Sequence, residues 1–553
     1  MERRSSLSSP PTELKGGITD AAGRGYRDAV QDTRVAGRER SDRAPVLTIA
    51  AATLPLLALL LVSLGRLGAT YSPDGDNALI EMHVRDIGHH PVLVGAYSRG
   101  GWFHPGPALY YLLWLPYQIA WHASGSLITA ATLINLLCVA GIIAIVHRRA
   151  GRAAAWWAAI VLLLDLRVLG ATALQSVWNP SISILPFALF LVTAWSVLCD
   201  DYWLLPVTAG VGSFVVQCHV GFIFPVAAIG VLVAARTVIR LRHDRRWYRP
   251  LAITIAVAAV MWTPPVIDEL TGHPGNLTAI LRYARARRGT WGWQEGANTI
   301  MTQIGRLPAW IVGRKPVPIL YGSPKLPLWP GLLGVGALVL ITVVAARRRQ
   351  TDVLWLVLLV VVAGLAAGAF VDRVDGPDWS YLGDWISSIG VVLWIAVGVC
   401  LLPRRWSLAR STPVTAGLGA LAALLAIGGT WNALAAPRFG STTSPTITHL
   451  AAAGRQWASA NHVHAVKLDF GPDPDLSLSV LGAGTGVVLQ LERHGITTKV
   501  DPIWRLQFGP SRTLRGQWRG PVVVVGTSFA PPPDGTQLAR SGPFILYVLP
   551  SST

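Results

Sequence analysis

A polytopic α-helical membrane protein with a small α/β domain at its C-terminal end is the fold class this sequence predicts. Three observations predict it. The chain is 52% hydrophobic and 14% charged, where a soluble protein would carry about 25% charge. Apolar runs of roughly 16–22 residues recur along it, long enough to cross a bilayer. After residue 433 those runs stop and short β-branched runs replace them. The 23 Trp residues point the same way: many lie near run ends, where interfacial side chains anchor.

Residues 1–44 are polar and Arg-rich, and read as a disordered cytoplasmic tail. The first apolar run is too long and too late for a signal peptide. From there to 433 the hydropathy predicts a membrane module of about eleven spans. Their limits are 45–65, 126–146, 153–171, 181–199, 203–218, 220–239, 250–266, 329–346, 352–371, 385–403 and 413–433. The run 106–121 is also apolar, and basic loops decide how to read it. Arg148/Arg149/Arg152, Arg240/Arg242/Arg245/Arg246/Arg249, Arg347/Arg348/Arg349 and Arg404/Arg405/Arg410 all fall on one side only if 106–121 lies at the surface. The positive-inside rule then puts the N-terminus in the cytoplasm and the C-terminal domain outside. The net charge of +18 is thus an orientation signal, with nucleic acid excluded as a partner. Cys138, Cys199, Cys218 and Cys400 lie in or at the ends of spans, without a CxxC, and read as small buried apolar residues.

Three regions face outward on this reading: loop 66–125, loop 267–328 and the segment 434–553. The last has strand patterns at Ala465–Phe470, Thr497–Val500, Pro521–Thr527 and Phe544–Leu549, with a helical run at Gly486–His494. Strands alternating with a helix predict a small α/β domain.

The candidate chemistry starts in loop 66–125. Pro73-Asp74-Gly75-Asp76 is a turn signature that leads into a helix. Either carboxylate can cap that helix, and either can serve as a general base for an acceptor hydroxyl. Glu81 and Arg85 follow at i,i+4 and can pair; otherwise Arg85 is free to orient the base or hold a phosphate. His104 stands at the start of the apolar helix 108–121, a place to bind a sugar or phosphate. The spacing of His89, His90 and His104 does not specify a metal site, so a divalent cation stays open, with no cofactor certain. Loop 267–328 carries Arg282, Arg285, Arg287 and Arg288, either a phosphate clamp or a patch that attracts anionic lipid. His219 and Trp178-Asn179-Pro180 occupy neighbouring outer turns that can line one cavity. Asp165 and Arg167 form an ionisable pair near the outer end of the third span.

An inward N-terminus, one span, an outer loop with paired acids, a surface helix and a many-span bundle resemble the GT-C superfamily of integral membrane glycosyltransferases. That group includes protein O-mannosyltransferases, lipid A aminoarabinose transferases and mycobacterial arabinofuranosyl- and mannosyltransferases. Its loop commonly reads Asp-Glu or Asp-Asp, then Ala and an apolar helix. Asp76-Asn77-Ala78 fits that place, with Asn where an acid is frequent. The resemblance implies a polyprenyl-phosphate sugar donor and transfer on the outer face to a glycan, lipid or protein acceptor. Asp76, or Asp74, would be the base, and the Arg residues at 282–288, with His104, would hold the departing phosphate. A transporter or flippase for a lipid-linked envelope precursor is the alternative; it would need broken helices or an inverted repeat, and neither is evident. A non-enzymatic envelope assembly factor is a third reading.

Overall fold

The computed structural model describes residues 45–68, 70–286, 290–313, 329–376, 379–402, 408–471, 479–527 and 535–549. The expected N-terminal tail, residues 1–44, lies outside them. Ten described helices are long and apolar enough to cross a membrane, from Pro45–Leu64 to Pro413–Ala435. The segment expected as a span at 203–218 is a shorter apolar helix, Tyr202–Cys218. It carries the chain from one end of the bundle to the other between Asn179–Leu198 and Val220–Leu241.

Burial sorts these helices into centre and rim. Asn179–Leu198 and Tyr381–Leu401 are the most buried of the ten, whereas Arg245–Thr271 and Pro413–Ala435 lie mostly exposed at the rim. Asn179–Leu198 is apolar on every face, the pattern of a helix with no polar side to present. Close approach is built in at Gly398, where any Cβ would enter the Trp157 ring. Trp157 Nε1 donates to Trp394 O at 2.7 Å across the same contact.

Basic side chains gather at one end of the bundle and cap helix carboxyl ends. Arg149 donates to Ser196 O at 2.8 Å and Cys199 O at 3.1 Å. Arg236 and Arg240 both pair with Asp200. The C-terminal domain sits at the opposite end.

The apolar run 106–121 forms a surface helix, Ala108–Ile119, of 12 residues, too short to span. It buries Tyr110, Leu113 and Tyr117 and exposes Leu112, Leu115 and Ile119. Gln217 pins its start: Gln217 Oε1 accepts from Ala108 N at 3.1 Å, and Nε2 donates to Met261 O at 2.9 Å. Gly106 leaves room for that glutamine, because a Cβ there would collide with its amide.

The C-terminal domain holds a five-stranded mixed sheet in the order β2-β1-β3-β5-β4. The strands are β1 Ala465–Phe470, β2 Thr497–Lys499, β3 Val522–Thr527, β4 Thr536–Ser541 and β5 Phe544–Leu549. β1 runs parallel to β2 and β3; β5 is antiparallel to β3 and β4. Helices Ser444–Ala460 and Ser479–Arg493 pack on it. The helical run expected at Gly486–His494 is the C-terminal half of the second.

The helix Gly75–Asp86 joins the two parts. Its Ala78, Leu79 and Met82 pack into the core of the C-terminal domain with Leu450, Val487 and Phe508. Its Ile80 and Val84 pack into the core of the helical bundle. The helix that follows the paired acids is therefore clamped on both sides.

Candidate active site

The turn before that helix places the two acids differently. Gly75 takes φ +46, a left-handed conformation that glycine adopts at no steric cost. Asp74 is the N-cap residue, and its carbonyl accepts from Ala78 N at 3.1 Å. Its side chain makes no capping hydrogen bond. Asp76 lies in the first helical turn, where the helix N-terminus favours negative charge.

Both oxygens of Asp76 are held. Tyr97 OH donates to Oδ1 at 3.0 Å, and Trp178 Nε1 donates to Oδ2 at 2.6 Å. A carboxylate oxygen accepts more than one hydrogen bond, so capacity for a further proton or hydroxyl remains. Burial pushes the Asp76 carboxyl up from its ordinary value. The bonds from Trp178 and Tyr97 pull it back, and the Asp74 charge adds to the rise. The result is a fixed carboxylate with raised proton affinity, the property a general base needs.

Each donor is locked from behind. Tyr97 pairs with Phe103 in a small antiparallel bridge, supported by Ser98 N→Trp102 O at 2.8 Å and His104 N→Ala96 O at 2.8 Å. Trp178 packs edge-on against Tyr381 at 4.9 Å. The neighbouring Asn179 Nδ2 donates to Cys218 O at 2.9 Å, which ties the Trp178 turn to the His219 turn.

His104 and His219 come together, with ring centroids 4.8 Å apart. His104 Nδ1 accepts from Val220 N at 3.2 Å, and His219 Nδ1 accepts from Gly221 N at 3.1 Å. Burial holds the His104 ring well below the usual histidine range, with His219 adding to the effect, and lowers His219 to about 4. Both rings are therefore neutral near pH 7 and carry their proton on Nε2. In that state they donate a hydrogen bond but supply no positive charge.

Cations lie nearby on exposed side chains. Arg99 sits 4.7 Å over the Trp379 ring and donates to Asp375 O at 2.6 Å. Tyr381 is within electrostatic reach of both Arg99 and Asp76. Arg282 and Arg285 are exposed on the helix Asn276–Arg285. Between them, Tyr283 packs on Trp102 at 5.5 Å and bonds the Asp375 carboxylate. Arg287 and Arg288 lie outside the described residues.

Several sequence expectations resolve otherwise. Glu81 does not pair with Arg85. It is fully buried, and its Oε1 accepts from Tyr117 OH at 2.9 Å and from Arg493 of the C-terminal domain. Arg85 is half-buried, beside the Tyr117 hydroxyl. Asp165 is buried in its span, while Arg167 turns away and donates to Ile311 O at 3.3 Å. Among the described residues there is no cluster of three or more His, Cys, Asp and Glu side chains placed to hold a metal ion, which leaves the divalent-cation question where the sequence left it.

Tyr97, Arg99 and Arg493 were not singled out by sequence reasoning. For Tyr97 and Arg99 a signal exists: Gly100-Gly101 between aromatic residues is a hairpin turn. Arg493 carries no local signal at all.

An apolar cleft of about 700 Å³ opens beside the site. Pro107, Ala108 and Tyr111 form one wall, Phe214 the second, and Val260 and Pro264 the third. The surface helix, the short helix Tyr202–Cys218 and the rim helix Arg245–Thr271 line it, together with Ile134, Cys138 and Pro186 of the neighbouring spans.

No family model and no curated protein matches the chain. Solved structures do. ArnT from Cupriavidus metallidurans bound to undecaprenyl phosphate aligns with a TM-score of 0.54 at 14% identity, covering 92% of this chain and 98% of that one. The apo state of the same protein aligns with a TM-score of 0.55 at 14% identity, covering 91% and 97%. The chain therefore has the GT-C-like fold that the paired-acid loop and span layout imply.

Proposed function

We propose that this protein is a membrane glycosyltransferase that moves a sugar from a polyprenyl-phosphate donor to an acceptor hydroxyl, with inversion, on the outer face of the membrane. The observation that carries the reading is Asp76: a half-buried carboxylate of raised proton affinity, gripped by Tyr97 and Trp178 at the mouth of a many-span bundle. The fold shared with a protein solved with undecaprenyl phosphate supports the donor class.

The chemistry follows from the residues. Asp76 takes the proton of the acceptor hydroxyl. The oxygen attacks the anomeric carbon from the face opposite the phosphate. The bond from that carbon to the phosphate oxygen breaks, and its electron pair stays on the departing phosphate. Asp74, as N-cap, positions the turn. His104 offers an Nε2–H to a phosphate oxygen, and His219 supports its ring. Arg282, Arg285, Arg287 and Arg288 supply positive charge, with Arg99 a further cation at the rim; Arg85 orients the helix that carries the base. Preorganised donors of this kind stabilise charge where it develops. The apolar cleft beside Pro107 accommodates the start of the polyprenyl tail. The hydrocarbon-lined walls admit it from the lipid without burying a polar group.

The test is turnover of a labelled polyprenyl-phosphate sugar by purified protein. Wild type should consume the donor, and Asp76→Asn should lower turnover by about 100-fold or more while still folding, since Asn is tolerated in a helix first turn. Donor moved across vesicles without sugar loss would instead support a flippase.

A further inference from the structure

A second cleft, of about 620 Å³, lies between the loop segment Pro91–Gly95 and the C-terminal domain. It is separate from the apolar cleft and shares none of its lining. Asp86 lines this second cleft and is held by Arg512 in a two-point ion pair, at 2.8 and 3.0 Å. Arg512 also binds Glu492, so the guanidinium is shared between two carboxylates and held rigidly. Asp86 is the one carboxylate among the described lining residues, and both its oxygens accept from Arg512.

The walls are cationic and aromatic. Lys499 lines the cleft; its Nζ donates to Ser511 O at 2.7 Å, one of the three donors an ammonium has. Arg515 and His90 also line it, and both are exposed. The half-buried Trp518 donates its Nε1–H to Pro521 O at 3.1 Å, which fixes the indole and leaves its ring as an apolar face. A fixed aromatic face beside unneutralised cations suits a saccharide that bears an anionic group. The volume is within the ordinary range for a ligand site.

The position fits an acceptor. The helix Gly75–Asp86 runs from the base to the cleft, and His83, which lines the cleft, is about 10 Å along it from Asp76 at the usual helical rise. The segment Pro91–Gly95 leads directly to Tyr97, which holds that base. Resting on the sugar-transfer reading above, we propose that this cleft is the acceptor subsite. It binds an anionic saccharide, phosphate- or carboxylate-bearing, and longer than one sugar if its far end is to reach Asp76.

Binding to the full chain in detergent, without donor, tests this. The probes are a fluorescent phosphorylated oligomannose, an oligogalacturonate, a neutral oligomannose and inorganic phosphate. At least one anionic oligosaccharide should bind about tenfold or more tighter than the neutral one, the scale of one charge-assisted contact. The one that does so tells phosphate from carboxylate. Arg515→Ala and Trp518→Ala should each weaken it about tenfold. Arg540→Ala, an equal charge loss on the exposed edge of β4, should leave it unchanged. Three results would overturn the proposal: no preference for either anionic probe, wild-type binding in both cleft variants, or equal loss in Arg540→Ala. Full competition by inorganic phosphate at the same concentration would also overturn it, since the saccharide would then add nothing. Because no donor is present, a failure of sugar transfer shows only in the turnover assay, and the two ideas fall separately.

Discussion

Replacing Tyr97 by Phe removes one hydrogen bond from the proposed base and almost nothing else. The phenol donates to Asp76 Oδ1 at 3.0 Å, and its bond is one of the causes that lower the carboxyl's pKa against the rise from burial. Losing it destabilises the charged form, so protonation of Asp76 moves to higher pH. A hydrogen bond to a charged group is worth about 1.5–3 kcal/mol. Asp76 is only half-buried, so water replaces part of that contact and the lower end applies. About 1.5 kcal/mol corresponds to roughly a tenfold change in an equilibrium. Below the acid limb of the kcat/KM profile, Tyr97→Phe should therefore be about tenfold slower than wild type. Above the limb both carboxylates are ionised, and the two rates should converge. The assay is donor turnover against pH at subsaturating acceptor. A uniform loss at every pH would mean that Tyr97 positions substrate and does not tune the base. A limb displaced to lower pH would refute the reasoning outright.

Three other outcomes follow from the same geometry. If Arg282 and Arg285 clamp the leaving phosphate, Arg→Ala at either should weaken donor use by about 1.5–3 kcal/mol; a gradual loss of about 1 kcal/mol per charge, seen only in combined variants, would indicate lipid attraction. Arg493→Ala leaves the buried Glu81 carboxylate without its cation, and should cost up to about 3 kcal/mol. A fall in melting temperature that Glu81→Gln partly restores would show it; no fall would show that Tyr117 alone suffices. Reporter fusions after Arg410 and after Thr553 should read opposite sides of the membrane, the first cytoplasmic; the same side for both would undo the assigned orientation.

Much of this architecture is legible in the sequence because membrane signals are local. Twenty apolar residues in a row, or an arginine run between two such stretches, mean the same thing wherever they occur. The spans, the surface helix Ala108–Ile119 and the strands β1, β3 and β5 all follow from patterns a few residues to a few turns long. β4 is not legible: Thr536–Ser541 is polar and mostly exposed, and only its pairing with β5 makes it a strand.

The site divides along the same line. The turn Pro73-Asp74-Gly75-Asp76 announces two acids at a helix start, and the sequence by itself determines that much. It leaves their roles open, because helix capping and proton transfer draw on the same residue types. Tertiary structure separates them by bringing Tyr97 and Trp178, from a hairpin and a distant turn, onto the two oxygens of Asp76. It also gave Glu81 a partner that spacing does not suggest. Arg85 lies one turn away, yet Glu81 faces Tyr117 and Arg493, because the helix Gly75–Asp86 is clamped between two cores. A side chain buried by that clamp takes its counter-ion from whichever element packs against it. Which element that is depends on how the C-terminal domain docks, a property of the whole chain.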